Sequence, residues 1–199
     1  MINFFKNKKI LITGGTGSFG NKFVQIITKN YSPNEIIIFS RDEMKQWHMQ
    51  QKFKDKKIRF VIGDVKDRDS ISNACSDVDY VIHAAATKIV PTAEVNPLEC
   101  IKTNIVGAEN VIKASISNQV KKVVALSTDK ACNPINLYGA TKLASDKLFI
   151  AANNFKSKNN TKFSVVRYGN VIGSRGSLIP FFLKIKNNNH FPITHKDMT

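Results

Sequence analysis

Acidic residues are scarce in this 199-residue chain: 15 Asp and Glu stand against 30 Lys and Arg, a formal net charge of +15. Cysteine is scarcer, with Cys75, Cys100 and Cys132 odd in number and without a close-spaced pair. That excludes a disulfide framework and a cysteine zinc site, and it suits a reducing, cytoplasmic setting. No apolar run approaches the ~20 residues of a membrane span, so no membrane partner is expected. The start offers only Phe4-Phe5 before a strand-like run, so no signal peptide is expected. Six prolines and ten glycines exclude a collagen-like chain, and 42% apolar residues exclude disorder. The length suits one domain with a sizeable core.

The cationic excess does not by itself identify a polyanion partner. Five of the 30 cations are arginine, and Lys, Asn and Ile together make 68 of the 199 residues. All three have A/T-rich codons, so genome composition accounts for the bias as well as selection does. The lysine groups at 6–9, 52–57, 121–122 and 156–162 fall at expected element ends. Apart from Phe53 between Lys52 and Lys54, none is interleaved with the aromatics on which single strands stack. The expectation is no nucleic-acid partner, and a solvated basic surface that favours anionic ligands.

Short β-branched runs recur at 9–13 (KILIT), 35–40 (EIIIFS), 58–63 (IRFVIG), 79–84 (DYVIHA), 122–127 (KVVALS) and 163–168 (FSVVRY). They are near-continuous rather than alternating, as strands buried on both faces are. Helical stripes lie between them. Phe19, Phe23, Val24 and Ile27 form one, and Leu98, Ile101, Ile105, Ala108 and Ile112 a second within a single helix over 97–117. Ala140, Ala144, Leu148 and Ala151 form a third, and a last helix covers 178–185. Strands alternating with helices predict an α/β fold, a Rossmann-type doubly wound parallel sheet with helices on both faces. The segment 156–162 reads as a polar loop.

Directly after the first strand, Gly14, Gly17 and Gly20 stand in G-x-x-G-x-x-G spacing. Glycines let the backbone approach a pyrophosphate while the following helix aims its N–H groups at the anion. Gly14, Thr16, Gly17, Ser18, Phe19 and Gly20 are therefore candidate contacts to a dinucleotide. An NAD site usually has a carboxylate at the tip of the second strand for the ribose hydroxyl. Here Ser40 stands there with Arg41 next and Lys45 nearby, which favours NADP. The same stretch also reads as a helix start with Ser40 as N-cap. Asp64-Val65 is a candidate adenine contact, with Asp64 as a cap of the next helix as the other reading.

After the fifth strand, Tyr138 and Lys142 are four apart and leave one helix face. An ammonium beside a phenol lowers the phenol's pKa from ~10 and makes Tyr138 usable as a base.

These motifs resemble the extended short-chain dehydrogenase/reductase superfamily. Within it they are most similar to the inverting UDP-N-acetylglucosamine 4,6-dehydratase (5-epimerising) family of bacterial pseudaminic acid synthesis. The resemblance rests on ILITGGTGSFG (10–20), SRDE (40–43), NPLECIKTNI (96–105), ALSTDKACNPINLYGATK (125–142), SDKLF (145–149) and RYGNVIGSRGS (167–177). It implies oxidation at sugar C4, loss of water across C5–C6, and hydride return to C6, with NADP retained. By similarity, Tyr138 assisted by Lys142 takes the 4-OH proton and Thr128 bonds the C4 oxygen. Asp129 is the acid at O6 and Lys130 the base at C5. Retaining relatives carry Asp-Glu where this chain has Asp129-Lys130, and a lysine that reprotonates from the other side would invert C5.

The resemblance also places Ala84, Lys88 and Val171 at the cofactor, and Lys88, Asn170, Arg175 and Thr194 at the UDP-sugar. Asn104 would support an active-site water or backbone, and Cys132 would serve in packing. The family's A-A-x-K-H-V-P-x-A-E-Y-N-P appears with Ile89 for His and Val95 for Tyr, near the expected substrate mouth. The family also runs on past residue 199. The expected organisation is thus an NADP-binding domain with the catalytic residues over 1–177, and the start of a truncated substrate-binding region over 178–199. A homo-oligomer is implied for a full-length chain. The rival expectations are another superfamily epimerase or reductase, and an NADP-binding protein without turnover.

Overall fold

Ile and Val runs too apolar to leave one face in water line up side by side in a single parallel sheet. In a computed structural model of the chain, which describes residues 3–155, 161–174, 177–187 and 192, the six strands follow the predicted runs closely. They are β1 (Lys9–Thr13), β2 (Glu35–Ser40), β3 (Ile58–Ile62), β4 (Tyr80–His83), β5 (Lys122–Leu126) and β6 (Lys162–Val166). Every pairing is parallel and the order is β3-β2-β1-β4-β5-β6, the Rossmann arrangement, with its switch of direction between β1 and β4.

The pleat divides the core in two. Ile10, Ile12, Ile36 and Ile38 pack with Val24 and Ile27 of α1 (Ser18–Asn30) and Met49 of α2 (Glu43–Lys52). Leu11, Ile37 and Phe39 point the other way. There they meet α3 (Arg68–Ala74), and further along the chain α4 (Val90–Val95), α5 (Pro97–Ile101) and α6 (Gly107–Ser117) follow. Ala108 and Val111 of α6 join that second core with Phe149 of α7 (Leu137–Ala151). Helices on both faces are thus required by strands that are apolar on both.

Four local expectations are corrected. The helix over 97–117 is interrupted by a π-helical turn, Lys102–Val106, which carries Asn104 inward to a buried position. The cap of α2 is Asp42, whose carboxylate accepts from Lys45 N at 2.9 Å, and not Ser40. The cap of α3 is Asp67, whose carboxylate accepts from Asp69 and Ser70 N, and not Asp64. The face of α7 also differs from the alanine stripe: Thr141, Lys142, Ser145, Asp146 and Phe149 are buried, while Ala140 and Ala151 are exposed.

By its internal contacts the chain forms two units, Met1–Gly169 and Asn170–Thr199. The second contains a turn in which Ser174 N donates to Val171 O at 3.2 Å, followed by α8 (Leu178–Lys184), close to the expected 178–185. Most of the polar loop at 156–162 lies outside the described residues. Among the described residues, no helix is long and apolar enough to cross a membrane, and no cluster of His, Cys, Asp and Glu could hold a metal ion.

Candidate active site

At the C-terminal end of β1 the chain turns through Gly14 at φ +64°, a conformation that disfavours other residues. A Cβ there would stand 2.8 Å from the backbone of Ala85, so the turn lies directly on the segment that leaves β4. Gly20 packs so tightly on the Gly15 carbonyl that a Cβ would sit 1.9 Å from it. Thr16 is buried, and its carbonyl and that of Gly17 accept from the Asn21 side chain. Ser18 and Phe19 open α1, with Phe19 stacked on Phe23. No side chain caps α1 and its first turn holds no acid. An uncapped helix N-terminus behind a glycine turn fits a diphosphate, which brings its own negative charge.

At the tip of β2, Ser40 is buried and Gln46 Nε2 donates to its Oγ at 3.1 Å. Arg41 is exposed, its Nη1 3.4 Å from Glu99 Oε1 and 3.8 Å from Asp64 Oδ2. Lys45 forms an ion pair with Asp42, and Lys66 binds Glu99 at 2.6 Å. The Val65 side chain is turned into the core, so any contact it makes with a base is through its backbone. Ala84 N donates to Thr13 O at 3.1 Å, and Lys88 lies exposed on the segment that follows. Ile89 and Val95 are exposed as well.

That segment is held by Asn104. Its Oδ1 accepts from Thr87 N at 2.8 Å, and its Nδ2 donates to Thr87 O at 2.9 Å and to Thr141 Oγ1 at 3.0 Å. Asn104 therefore supports backbone from a buried position. His83, at the end of β4, is fully enclosed and shares a 2.8 Å hydrogen bond between Nδ1 and Thr13 Oγ1. Burial, reinforced by the Lys142 ammonium, pushes its pKa down to about 3, so it is neutral.

Beyond β5, the Thr128 hydroxyl donates to Asp129 Oδ1 at 2.9 Å. The Thr128 hydroxyl also bears on the Tyr138 phenol, lowering its pKa against the larger effect of burial. Tyr138, Thr128 and Asp129 therefore stand together beyond β5. The Thr128 hydroxyl and the neighbouring Lys130 hold Asp129 below the usual carboxylate range. Lys130 Nζ lies 3.2 Å from Asp129 Oδ1.

The spacing of Tyr138 and Lys142 predicts a lowered phenol pKa. In the structure the phenol is pushed up instead, with burial as the largest cause. The ammonium is engaged elsewhere: Lys142 Nζ donates to the Leu126 carbonyl at 2.7 Å. Burial pushes Lys142 itself down to about 8, against the opposing pull of Asp146. Asp146 carries no role in the sequence reading, although its spacing of four from Lys142 was a usable signal. Cys132 is exposed rather than packed, and Arg167 Nη1 lies 3.2 Å from its sulfur. Asn170 and Val171 belong to the second unit, and Arg175 and Thr194 lie outside the described residues.

Thr128, Asp129, Lys130 and Tyr138 are thus brought together at one strand end, with Lys142 anchored beneath. The chain is 61% identical over 197 residues to a Campylobacter jejuni protein named UDP-N-acetylglucosamine 4,6-dehydratase (inverting), covering 98% of this chain and 59% of that one. It is 52% identical to a Rickettsia bellii protein named UDP-glucose 4-epimerase, covering 98% of this chain and 58% of that one. It thus spans less than two thirds of the length of these curated relatives. The X-ray structure of Pen from Bacillus thuringiensis superposes with a TM-score of 0.89 at 45% identity, over 94% of this chain and 57% of that one. A family described as polysaccharide biosynthesis protein matches residues 10–199, nearly the whole length, and the chain belongs to that family.

Proposed function

We propose that the chain carries the cofactor site and catalytic residues of an NADP-dependent dehydratase that acts on UDP-N-acetylglucosamine with inversion at C5. The observation that carries this reading is the gathering of Tyr138, Thr128 and Asp129 at one strand end, with Lys130 Nζ 3.2 Å from the Asp129 carboxylate. The name of the Campylobacter jejuni relative supports it.

Bound in the glycine turn, the nicotinamide cofactor would supply hydride removal at C4 and hydride return at C6. The Gly14–Gly20 turn would hold its diphosphate. Ser40, Arg41 and Lys45 would face its 2′-phosphate, with Asp64 and the Val65 backbone at the adenine. Ala84, Lys88 and Val171 would border the nicotinamide end. Ser40, standing where a ribose-binding carboxylate is expected, supports NADP over NAD.

Tyr138 takes the C4 hydroxyl proton, and a proton passed from Lys130 to Asp129 within their ion pair makes the carboxyl the acid for the leaving O6 and frees the Lys130 amine as a base. Thr128 then bonds the C4 oxygen. Lys130, next to Asp129, removes the proton from C5, the carbon adjacent to C6, and returns it from the other face. An acid and a base 3.2 Å apart match leaving groups on neighbouring carbons. Lys88, Asn170, Arg175 and Thr194 would hold the UDP-sugar, with Arg175 on the diphosphate. A cytoplasmic setting and a homo-oligomeric full-length protein complete the proposal.

The name of the Rickettsia bellii relative favours a second reading, a 4-epimerase that uses the same C4 oxidation. Incubation of the chain with UDP-N-acetylglucosamine and NADP⁺ in deuterated water separates the readings. Loss of water with deuterium at C5 is the expected result. A C4 epimer with C6 intact supports the second reading, and an unchanged sugar beside clear NADP⁺ binding sinks both.

A further inference from the structure

Asp146 lies one helical turn beyond Lys142 on α7, and both side chains are buried, at 5% and 3% exposure. The reaction proposed above gives Asp146 no task. Its Oδ2 accepts from Arg167 Nε at 2.8 Å. Lys142 donates instead to the Leu126 carbonyl. Two opposite charges thus share one buried face while each is engaged by a group from elsewhere in the fold.

The other titratable groups that bear on Lys142 are His83 on β4, whose ring feels the ammonium, and Tyr138, one turn earlier on the same helix. His83 is neutral, and the raised pKa of Tyr138 keeps its phenol uncharged. Asp146 is therefore the charge that acts on the ammonium, and Arg167 is the group that competes for it.

We propose that Arg167 is a positioning residue that acts through Asp146: by pairing with that carboxylate it withholds negative charge from Lys142 and sets the pH at which Lys142 gives up its proton. A lysine that exchanges its proton near neutral pH can relay protons, whereas one fully neutralised by Asp146 could only hold charge. Only this catalytic consequence rests on the dehydratase reading; the electrostatic coupling does not.

The test follows the side-chain NMR signals of Lys142, assigned with Lys142→Met, from about pH 6 to about pH 11. It needs neither sugar nor turnover, so it stands if the dehydratase reading fails. Arg167→Gln is expected to raise the Lys142 midpoint by about half a unit to one unit, and Asp146→Asn to lower it. Arg167→Lys, which keeps the charge, stays nearest the parent. In the Asp146→Asn background, Arg167→Gln moves the midpoint by less than half of its effect in the parent. An unchanged midpoint in either single variant overturns the proposal, as does an Arg167 effect of equal size with and without Asp146. If Arg167→Gln does not fold, Asp146→Asn decides alone, and a midpoint that fails to fall overturns it.

Discussion

The Lys142 ammonium donates to the main-chain carbonyl of Leu126 at 2.7 Å, which ties α7 to the last residue of β5. One turn earlier on the same helix, Tyr138 is thereby held over Thr128, the second residue beyond that strand. The contact explains why a lysine four residues from a tyrosine does not act on the phenol. Its charge is directed at the strand, and the phenol's pKa is governed by burial.

The buried ammonium gives stability a pH dependence. Its folded pKa of about 8 lies below the ordinary value of 10.5, so between these values the unfolded chain binds more protons. Folding stability contributed by this site therefore rises with pH across that window. Urea midpoints of the parent and Lys142→Met at about pH 7 and pH 10 should show the gap moving toward the lysine protein, by up to about 3 kcal/mol. A gap that stays constant or moves the other way refutes the assignment.

Gly14→Ala should be costly for two reasons that add. The φ of +64° strains a residue with a side chain, and the new Cβ would meet the Ala85 backbone, which cannot swing aside. A loss of about 1–3 kcal/mol in stability is expected, with NADP⁺ affinity falling at least tenfold as turn and segment separate. Thermal melts and a fluorescence titration with NADPH check both. Normal affinity in a folded variant would show that the turn does not hold the cofactor.

The inner strands β1, β2 and β4 were legible because both faces are buried, which leaves runs such as EIIIFS with no polar alternation. The Gly14–Gly20 turn and the Tyr138–Lys142 spacing were legible because their meaning is local. The buried face of α7 was not. Thr141, Lys142 and Asp146 go inside because Asn104, Leu126 and Arg167 supply their partners. Those partners are 37, 16 and 21 residues away, and apolar periodicity does not record them. The π turn was hidden for a similar reason, since the stripe from Leu98 to Ile112 gives no sign of Asn104 turning in toward Thr87. The helix caps failed on a finer point: each cap fell to an Asp two or three residues past the residue first chosen.

His83 predicts an acid-side loss of stability. It is neutral when folded, with a pKa of about 3 against the ordinary 6.5, so between these values the unfolded chain takes up the extra proton. Stability is full above about pH 6.5 and is lost as pH falls toward 3. His83→Gln removes this titration. Between about pH 7 and pH 4.5 its urea midpoint should therefore fall less than the parent's, by the equivalent of about 2–3 kcal/mol. Equal falls in the two proteins would mean that His83 does not titrate on unfolding.

Asn104→Leu tests whether the segment after β4 is held from the π turn. The substitution keeps the volume but leaves both main-chain groups of Thr87 without their partner and removes the donor to Thr141. Two orphaned groups imply a loss of about 2–4 kcal/mol. The loss should be local: the Thr87 amide exchanges faster while amides in β1 keep their protection, and NADP⁺ binds more weakly because Ala84 and Lys88 flank the loosened stretch. Asn104→Asp, which keeps the acceptor for Thr87 N but not the two donations, should fall between. A protected Thr87 amide together with parental NADP⁺ affinity in Asn104→Leu would show that the segment is held by something else.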